Sequence, residues 1–208
     1  MIYVVAFLVG LLCGSIPFGL IIVRLVKGTD IRKHGSGNIG ATNVFRIAGK
    51  GPGLAAFFLD VAKGFLPALI FKQAFGVNVG IAAGLGAIAG HVFTPFLRFK
   101  GGKGVATSLG VFIGLAPIAS AVGFGIWVVL LLVFGWVSLA SMIAAISVPV
   151  FLIVSRNSRF SEFGVGILCL AIAATLILIA RHVGNIKRLV RGKEPRFAWR
   201  KEAEKDRG

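Results

Sequence analysis

Acidic side chains are scarce in this chain: 7 Asp and Glu stand against 23 Lys and Arg among 208 residues. Outside the extreme C-terminus only Asp30, Asp60, Glu162 and Glu194 remain. That scarcity excludes the intramembrane carboxylate clusters of metal-dependent alcohol phosphotransferases, and it supplies a nucleophilic triad poorly. Histidine and cysteine are equally sparse, at 3 and 2. Cys13 and Cys169 lie in separate apolar runs without metal-ligand spacing. Neither a disulfide framework nor a metal site is expected, and both read as small packing residues. No G-x-S-x-G nucleophile elbow occurs. Charge of any sign is thin, 14% of residues against about 25% in a typical soluble domain.

What is abundant is apolar: 57% of the chain is hydrophobic, in runs over 2–23, 77–97, 105–134, 137–155 and 163–180. A helix needs about 20 apolar residues to cross a bilayer. The runs therefore predict an all-α, polytopic membrane bundle of about seven segments, near 2–23, 54–75, 77–96, 104–116, 118–136, 137–155 and 162–180. No soluble stretch is long enough to bury its own core. One membrane-embedded domain is expected over 1–208, with a basic tail from about 190. The N-terminus lacks a basic n-region and a cleavage site, so the first segment is read as retained.

The formal charge of +16 could point to nucleic acid, but its placement argues against that partner. With seven segments, the connections 24–53 and 97–103 and the tail from 181 share one face, and they hold 19 of the 23 Lys and Arg. Only Arg156 and Arg159 fall opposite, while Lys63 and Lys72 lie within segment two. The positive-inside rule then puts the N-terminus outside and the rich face in the cytoplasm. Membrane lipids are expected partners of that charge.

The stretch HGSGNIGATNVFR, 34–46, contains Gly35, Gly37 and Gly40 in G-x-G-x-x-G spacing, with Asp60 twenty residues on. A dinucleotide turn needs a preceding strand and a soluble parallel sheet. Residues 24–34 are too polar for a buried strand, and Asp60 sits in the apolar run LAAFFLDVAKG. The dinucleotide reading fails. Glycines also let backbone N–H groups form an anion-binding nest. Ser36, Asn38, Thr42, Asn43 and Arg46 supply hydroxyl, amide and guanidinium groups suited to phosphate oxygens. A Gly/Asn-rich turn re-entering the membrane accounts for the same residues equally well.

FKGGKGVATS, 99–108, shifts the balance. It is no Walker loop, yet it sets three glycines and two lysines before an apolar helix, whose N-terminus favours anions. Twelve residues before Pro117 rise only about 18 Å against about 30 Å of hydrocarbon. That end should sit below the head groups with acyl chains at hand; a short connector with snorkelling lysines is the alternative. In RHVGNIKRLVRGKEPRF, 181–197, His182, Asn185 and Arg188 share one face if segment seven continues as a helix. A basic turn complementing the helix dipole fits that stretch too.

GSGNIGATNVFR, FKGGKGVAT and HVGNIKRLVRGKE, in this order and spacing, resemble the three signature regions of the bacterial acyl-phosphate:glycerol-3-phosphate acyltransferases. The likeness spans essentially the whole chain and includes GSIPFG, FFLDVAKGFLP and SLAS at 138–141. It departs at Pro95, one residue later than the family's pattern. The resemblance implies the first acylation of phospholipid synthesis in the bacterial cytoplasmic (inner) membrane. An acyl group passes from acyl phosphate to the sn-1 hydroxyl of glycerol 3-phosphate, giving 1-acyl-glycerol 3-phosphate and phosphate. No cofactor or metal is implied, and a functional link to an acyl-phosphate-producing enzyme is.

Within that resemblance, Lys100, Gly102, Lys103, Gly104 and Thr107 hold the acyl-phosphate head, with Asn38 and Thr42 beside them. Arg46, Asn43, Asn185, Arg188 and Ser141 hold glycerol 3-phosphate. His182, Lys103 and Ser36 are the catalytic candidates, His182 because an imidazole titrates near neutrality; substrate phosphate is the competing base. An acyl phosphate is already an activated anhydride. Direct attack by the glycerol hydroxyl, without an acyl-enzyme, then needs only positioning and charge stabilisation. Asp60 and Lys63, i and i+3 on segment two, are expected to pair with each other. His91 is expected to pack or to anchor a loop. The Gly10/Gly14, Gly80/Gly84, Gly86/Gly90 and Gly110/Gly114 pairs are expected to bring helices close. A transporter would need a midplane site between repeats, and neither glycine motif repeats.

Overall fold

The computed structural model describes residues 1–162 and 164–197 and is all-helical over them. The helices are α1 (Ile2–Ser15), α2 (Phe18–Lys27), α3 (Ala41–Ala48), α4 (Lys50–Phe75), α5 (Val77–Val92), α6 (Val105–Leu115), α7 (Pro117–Phe134), α8 (Val137–Val154), α9 (Val165–Arg181) and α10 (Val183–Val190). Single 3-10 turns at Ile31–Lys33 and Pro95–Leu97 punctuate the long connections. Five stretches are long and apolar enough to span a bilayer: Ile2–Lys27, Lys50–Phe75, Val77–Leu97, Pro117–Phe134 and Val137–Val154. The pair α9–α10, bent by 57°, makes a sixth. The expected short segment is α6, whose 11 residues rise about 16 Å.

The first segment differs from the uninterrupted run 2–23. It extends to Lys27 and breaks at Ile16–Pro17, because Pro17 lacks an N–H for the helical ladder. The Ile16 carbonyl at the break accepts a 2.8 Å hydrogen bond from Lys63 Nζ on α4. Gly28, in the left-handed region at φ 64, ends α2 without the steric cost a Cβ would carry there. Segment two likewise starts earlier than expected, at Lys50.

Close backbone contact organises the bundle. A Cβ at Gly10 or Gly14 would overlap the Ala83 or Ala87 carbonyl of α5, and one at Gly86 or Gly90 the Phe7 or Leu11 carbonyl of α1. Gly64 and Gly110 do the same between α4 and α6, and Gly80 meets the Ala68 carbonyl of α4. Dispersion between closely approached backbones is the main attraction available in lipid. With 61% of its span window buried, against 22–33% for the others, α5 is the central helix. Its Ala87, Ile88 and Val92 join Val111, Phe112, Leu152 and Leu170 in the main core. A second core of Leu20, Val23, Ile31, Ile39, Val44 and Leu97 lies under the loops at one end. Lipid-facing positions are apolar and exposed, as at Phe58, Leu132, Val133 and Leu176. Cys169 is among the exposed residues and Cys13 is half-buried, so the packing role expected of them is partial at best.

Scarce charges cap helix ends. Lys72 Nζ donates to the Gly114 and Leu115 carbonyls that close α6, at 3.0 and 3.2 Å. Glu162 accepts from the first α7 amides, Ile118 and Ala119, at 2.9 Å each, where a carboxylate complements the helix dipole.

Candidate active site

At the loop-bearing end a cavity of about 220 Å³ opens between α3, α6, α8 and the α9–α10 break. The segment after α2 reaches it through Asn43, a fully spent amide. Asn43 Oδ1 accepts from the Ser36 amide at 3.0 Å. Its Nδ2 donates to the His34 and Asn38 carbonyls at 3.1 and 2.9 Å, and to Ile31 at 3.4 Å. Asn43 thus orders the loop, and its side-chain bonding is consumed there rather than turned to a ligand. Asn38 closes its own turn, accepting from the Gly40 amide at 2.8 Å. Gly35 and Gly37 take φ 57 and 69, which L side chains rarely adopt. The loop presents Ser36, Asn38 and Thr42 to the cavity, with Arg46 one helical turn beyond Thr42 on α3.

The 99–108 stretch is partly rearranged relative to expectation. Gly101 and Gly102 amides donate to the Val92 and His91 carbonyls, both at 3.1 Å. Their carbonyls accept from Arg181, at 3.0 Å from Nη2 and 3.3 Å from Nε. A Cβ on Gly102 would overlap the His91 imidazole. Gly102 is therefore a buried joint outside the cavity, and its N–H is not available to an anion. Lys100 also lies outside, in a separate cleft. Thr107 is fully buried facing Gly64 of α4, away from the cavity. Lys103 and Gly104 do line it, with Val105 and Ala106. The first α6 hydrogen bond runs from the Ser108 amide to the Gly104 carbonyl, which leaves the preceding amides of that turn without intrahelical partners. The donors this stretch brings to the cavity wall are the amides of Val105 and Ala106 and the Lys103 ammonium.

Lys103 Nζ donates to Asn185 Oδ1 at 2.5 Å. Burial, opposed by Glu194 and reinforced by Arg188, Arg181 and Arg46, brings its pKa down to about 8. His182 occupies the break between α9 and α10 and is buried on the cavity wall. Its Nδ1 is 2.8 Å from the Leu178 carbonyl. A carbonyl only accepts, so Nδ1 carries the proton and Nε2 holds the free lone pair. Arg188 and Asn185 line the same wall. Ser141 is there too, but its hydroxyl donates to the Val137 carbonyl at 2.7 Å and accepts from Trp127 Nε1 at 3.1 Å. It is held within the helix packing.

Glu194 is the main component the sequence reading missed. Oε1 accepts from Ser138 Oγ at 2.7 Å and Asn185 Nδ2 at 2.6 Å, and Oε2 from Arg188 Nε at 2.7 Å. Burial opposes its charge, yet these donors hold its carboxyl below the ordinary value. Residues 193–197 strap over the cavity: the Phe197 amide donates to the Gly135 carbonyl at 2.7 Å, and Phe197 meets Phe45 edge to face at 5.5 Å. Arg181, clamping the glycine joint, was missed as well. Both adjoin or fall within the HVGNIKRLVRGKE stretch, which was the available signal.

Asp60 and Lys63 form the expected ion pair, 2.6 Å apart and each about 3% exposed. Asp60 and His91 reach the cavity floor, and His91 anchors the glycine joint through its carbonyl. Toward the interior, Leu109, Phe112, Phe124, Trp127, Val148 and Ala174 make the wall apolar. The cavity is thus cationic at its mouth and hydrocarbon-like within.

Fold and cavity together define an integral membrane protein with a cationic cleft that opens into an apolar slot. The chain belongs to the glycerol-3-phosphate acyltransferase family, whose model matches residues 4–192. It is 48% identical over 193 residues to the glycerol-3-phosphate acyltransferase of Desulforudis audaxviator, covering 91% of this chain and 93% of that protein. It is 45% identical over 188 residues to that of Aquifex aeolicus, covering 89% and 94%. The crystal structure of PlsY (YgiH), an integral membrane glycerol 3-phosphate acyltransferase, in its glycerol 3-phosphate form, superposes with TM-score 0.84 at 44% identity. The match covers 95% of this chain and 94% of that one. The lysophosphatidic acid form of that enzyme gives TM-score 0.84 at 43% identity, covering 94% and 95%.

Proposed function

We propose that this acyltransferase moves a fatty acyl group from acyl phosphate to the sn-1 hydroxyl of glycerol 3-phosphate. The products are 1-acyl-glycerol 3-phosphate and inorganic phosphate, in the first acylation of phospholipid synthesis. One observation carries the reading: a single cavity joins a cationic mouth of Lys103, Arg46 and Arg188 to a slot lined by Phe112, Trp127 and Val148. Two phosphate-bearing substrates, one with a long chain, need both halves.

In this reading Arg46, Asn185 and Arg188 hold glycerol 3-phosphate, with Asn43 ordering the loop beside it and Ser141 backing the wall. Lys103, Gly104, Asn38 and Thr42 receive the acyl-phosphate head. Lys100, Gly102 and Thr107 are left out because they lie away from the cavity. The hydroxyl attacks the acyl carbonyl directly, and no side chain is acylated. His182 Nε2 takes the hydroxyl proton and returns it to the departing phosphate. Lys103, Ser36 and the free first-turn amides of α6 stabilise the oxyanion and the leaving group. The substrate's own phosphate is the second candidate for the base.

We also infer that the cavity faces the cytoplasm from the bacterial inner membrane, supported by the basic residues of 24–53, 97–103 and 181–197, which are 15 of the 19 Lys and Arg among the described residues. An acyl-phosphate-producing enzyme is the partner this donor requires. The test is phosphate release by the purified protein. Release should require acyl phosphate and glycerol 3-phosphate together, and protein mixed with acyl phosphate alone should keep its intact mass. A kinetically competent acyl adduct would overturn direct attack, and absence of release would overturn the donor assignment.

A further inference from the structure

Lys100 stands in a second cleft, of about 480 Å³, at the same end of the bundle as the catalytic cavity. Three elements build it. α2 contributes Arg24, the 3-10 turn Ile31–Lys33 contributes Arg32, and the loop after α5 contributes Arg98 and Lys100. Buried Leu20 and Leu97 form its floor and belong to the core cluster that holds these elements together.

The charge in this cleft is unbalanced. Among the described residues Asp30 is the one nearby carboxylate, and Arg32 takes it in a fork, Nε at 2.9 Å and Nη2 at 2.6 Å. Arg24 reaches the same carboxylate only at 3.6 Å. The amides of Arg98 and Lys100 close the turn on the Pro95 and Leu97 carbonyls, at 3.1 Å each, but their side chains form no hydrogen bond or ion pair among the described residues. Arg98 and Phe99 sit at φ 52 and 62 in succession, a conformation uncommon for residues other than glycine. The chain thus turns sharply where it enters the cleft.

Exposed apolar side chains adjoin it. Phe96, 64% exposed, lines the cleft, and Phe99, between Arg98 and Lys100 in sequence, and Leu25, next to Arg24, are 66% and 81% exposed. Exposed Phe and Leu side chains at the end of membrane-spanning helices bury in the boundary between head groups and acyl chains. A soluble anion would leave that apolar surface unused, whereas an acyl-bearing one covers it. Cations beyond the neutralising capacity of Asp30 suit a doubly charged head group better than a singly charged diester.

We propose that this second cleft docks the head group of a phosphate-monoester lipid, such as phosphatidic acid, outside the catalytic cavity. Arg98 and Lys100 grip the phosphate oxygens, Arg24 and Arg32 set the surrounding field, and Phe96 and Phe99 lie against the acyl chains. The clamped Gly101–Gly102 joint separates this lipid from Lys103. The proposal does not depend on which acyl donor the enzyme uses.

The experiment places wild-type protein in phosphatidylcholine nanodiscs containing phosphatidic acid or phosphatidylglycerol and counts retained lipid by native mass spectrometry. Retention of phosphatidic acid should exceed that of phosphatidylglycerol. In Arg98→Gln/Lys100→Gln it should fall by about thirtyfold, the factor two basic residues contribute near a lipid surface. Arg24→Gln/Arg98→Gln is the second variant, with the same loss expected, and elution as one species reports folding of each. Equal retention of the two lipids by the wild type would overturn the proposal, as would unchanged retention in either folded variant. Displacement of phosphatidic acid by equimolar inorganic phosphate would assign the cleft to a free anion instead and overturn the lipid.

Discussion

At the scale of the residue, Lys103 is where burial and charge meet. Its pKa of about 8 follows from burial first and then from Arg188, Arg181 and Arg46, with Glu194 opposing. Below that value the ammonium is present to receive a phosphate; as pH rises through it, the charge is lost. KM for the phosphate-bearing substrates should therefore climb between pH 8 and 10, where an ordinary lysine stays charged up to about 10.4. Lys103→Arg should flatten the climb, since a guanidinium does not titrate in this range. Steady-state kinetics across pH checks it, and coincident profiles for the two proteins would remove Lys103 from the site. Lys103→Ala at neutral pH should lose a charge-assisted contact, typically about 1.5–3 kcal/mol, and with it at least tenfold in kcat/KM. Helical spacing was enough to put His182, Asn185 and Arg188 on one face, whereas only the family resemblance joined Arg46 and Lys103 to them; all five line the cavity. Neither was enough for Gly102 or Lys100. The loop between α5 and α6 turns through Arg98 and Phe99 and is pinned by Arg181, a contact 80 residues away in sequence. Glu194 escaped for the same reason, since an extended strap after α10 carries no periodicity that tells where it folds back.

At the scale of the element, the bundle depends on backbones that touch. Long apolar runs made five spans plain, and the short α6 followed from counting residues before Pro117. The break at Pro17 was harder to read, because a proline in a membrane helix is tolerated when a neighbour satisfies the freed carbonyl. Here Lys63, 47 residues on, does so. Among the small-residue pairs, Gly10, Gly14, Gly86 and Gly90 seam α1 to α5 through mutual carbonyl contact, while Gly114 meets its neighbours less tightly. Gly86→Val should therefore be costly. Its new side chain would meet the Phe7 carbonyl, which is backbone and cannot swing aside. Overpacking costs about 1–3 kcal/mol even where side chains adjust, so the variant should melt earlier in detergent or fail to accumulate. Gly125→Val is the matched control, because nothing lies within 4 Å of a Cβ there. Equal melting temperatures for the two variants would show that the α1–α5 seam does not limit stability.

At the scale of the whole molecule, the two ends of the bundle are chemically unequal, and that inequality sets where substrates arrive. The candidate active-site cavity and the Arg98–Lys100 cleft open at one end, where the connections 24–53 and 97–103 and the last helix converge. The other end keeps Arg156 and Arg159, the latter over the Phe160 ring at 4.8 Å, with Glu162 spent on capping α7. Basic residues in short connections resist translocation, so the crowded end should stay in the cytoplasm, on the side where soluble glycerol 3-phosphate is supplied. A single cysteine at Gly51, open to solvent with nothing within 4 Å of its Cβ position, should react with an impermeant maleimide only in inside-out vesicles. One at Ser158, in the connection after α8, should react only in intact spheroplasts. Both should be made in a background with Cys13 and Cys169 replaced by serine, because Cys169 is exposed on the bundle surface. Labelling of Ser158→Cys from the cytoplasmic side would invert the molecule. The catalytic cavity would then face away from its soluble substrate, and the assignment of glycerol 3-phosphate to Arg46 and Arg188 would fall with the orientation.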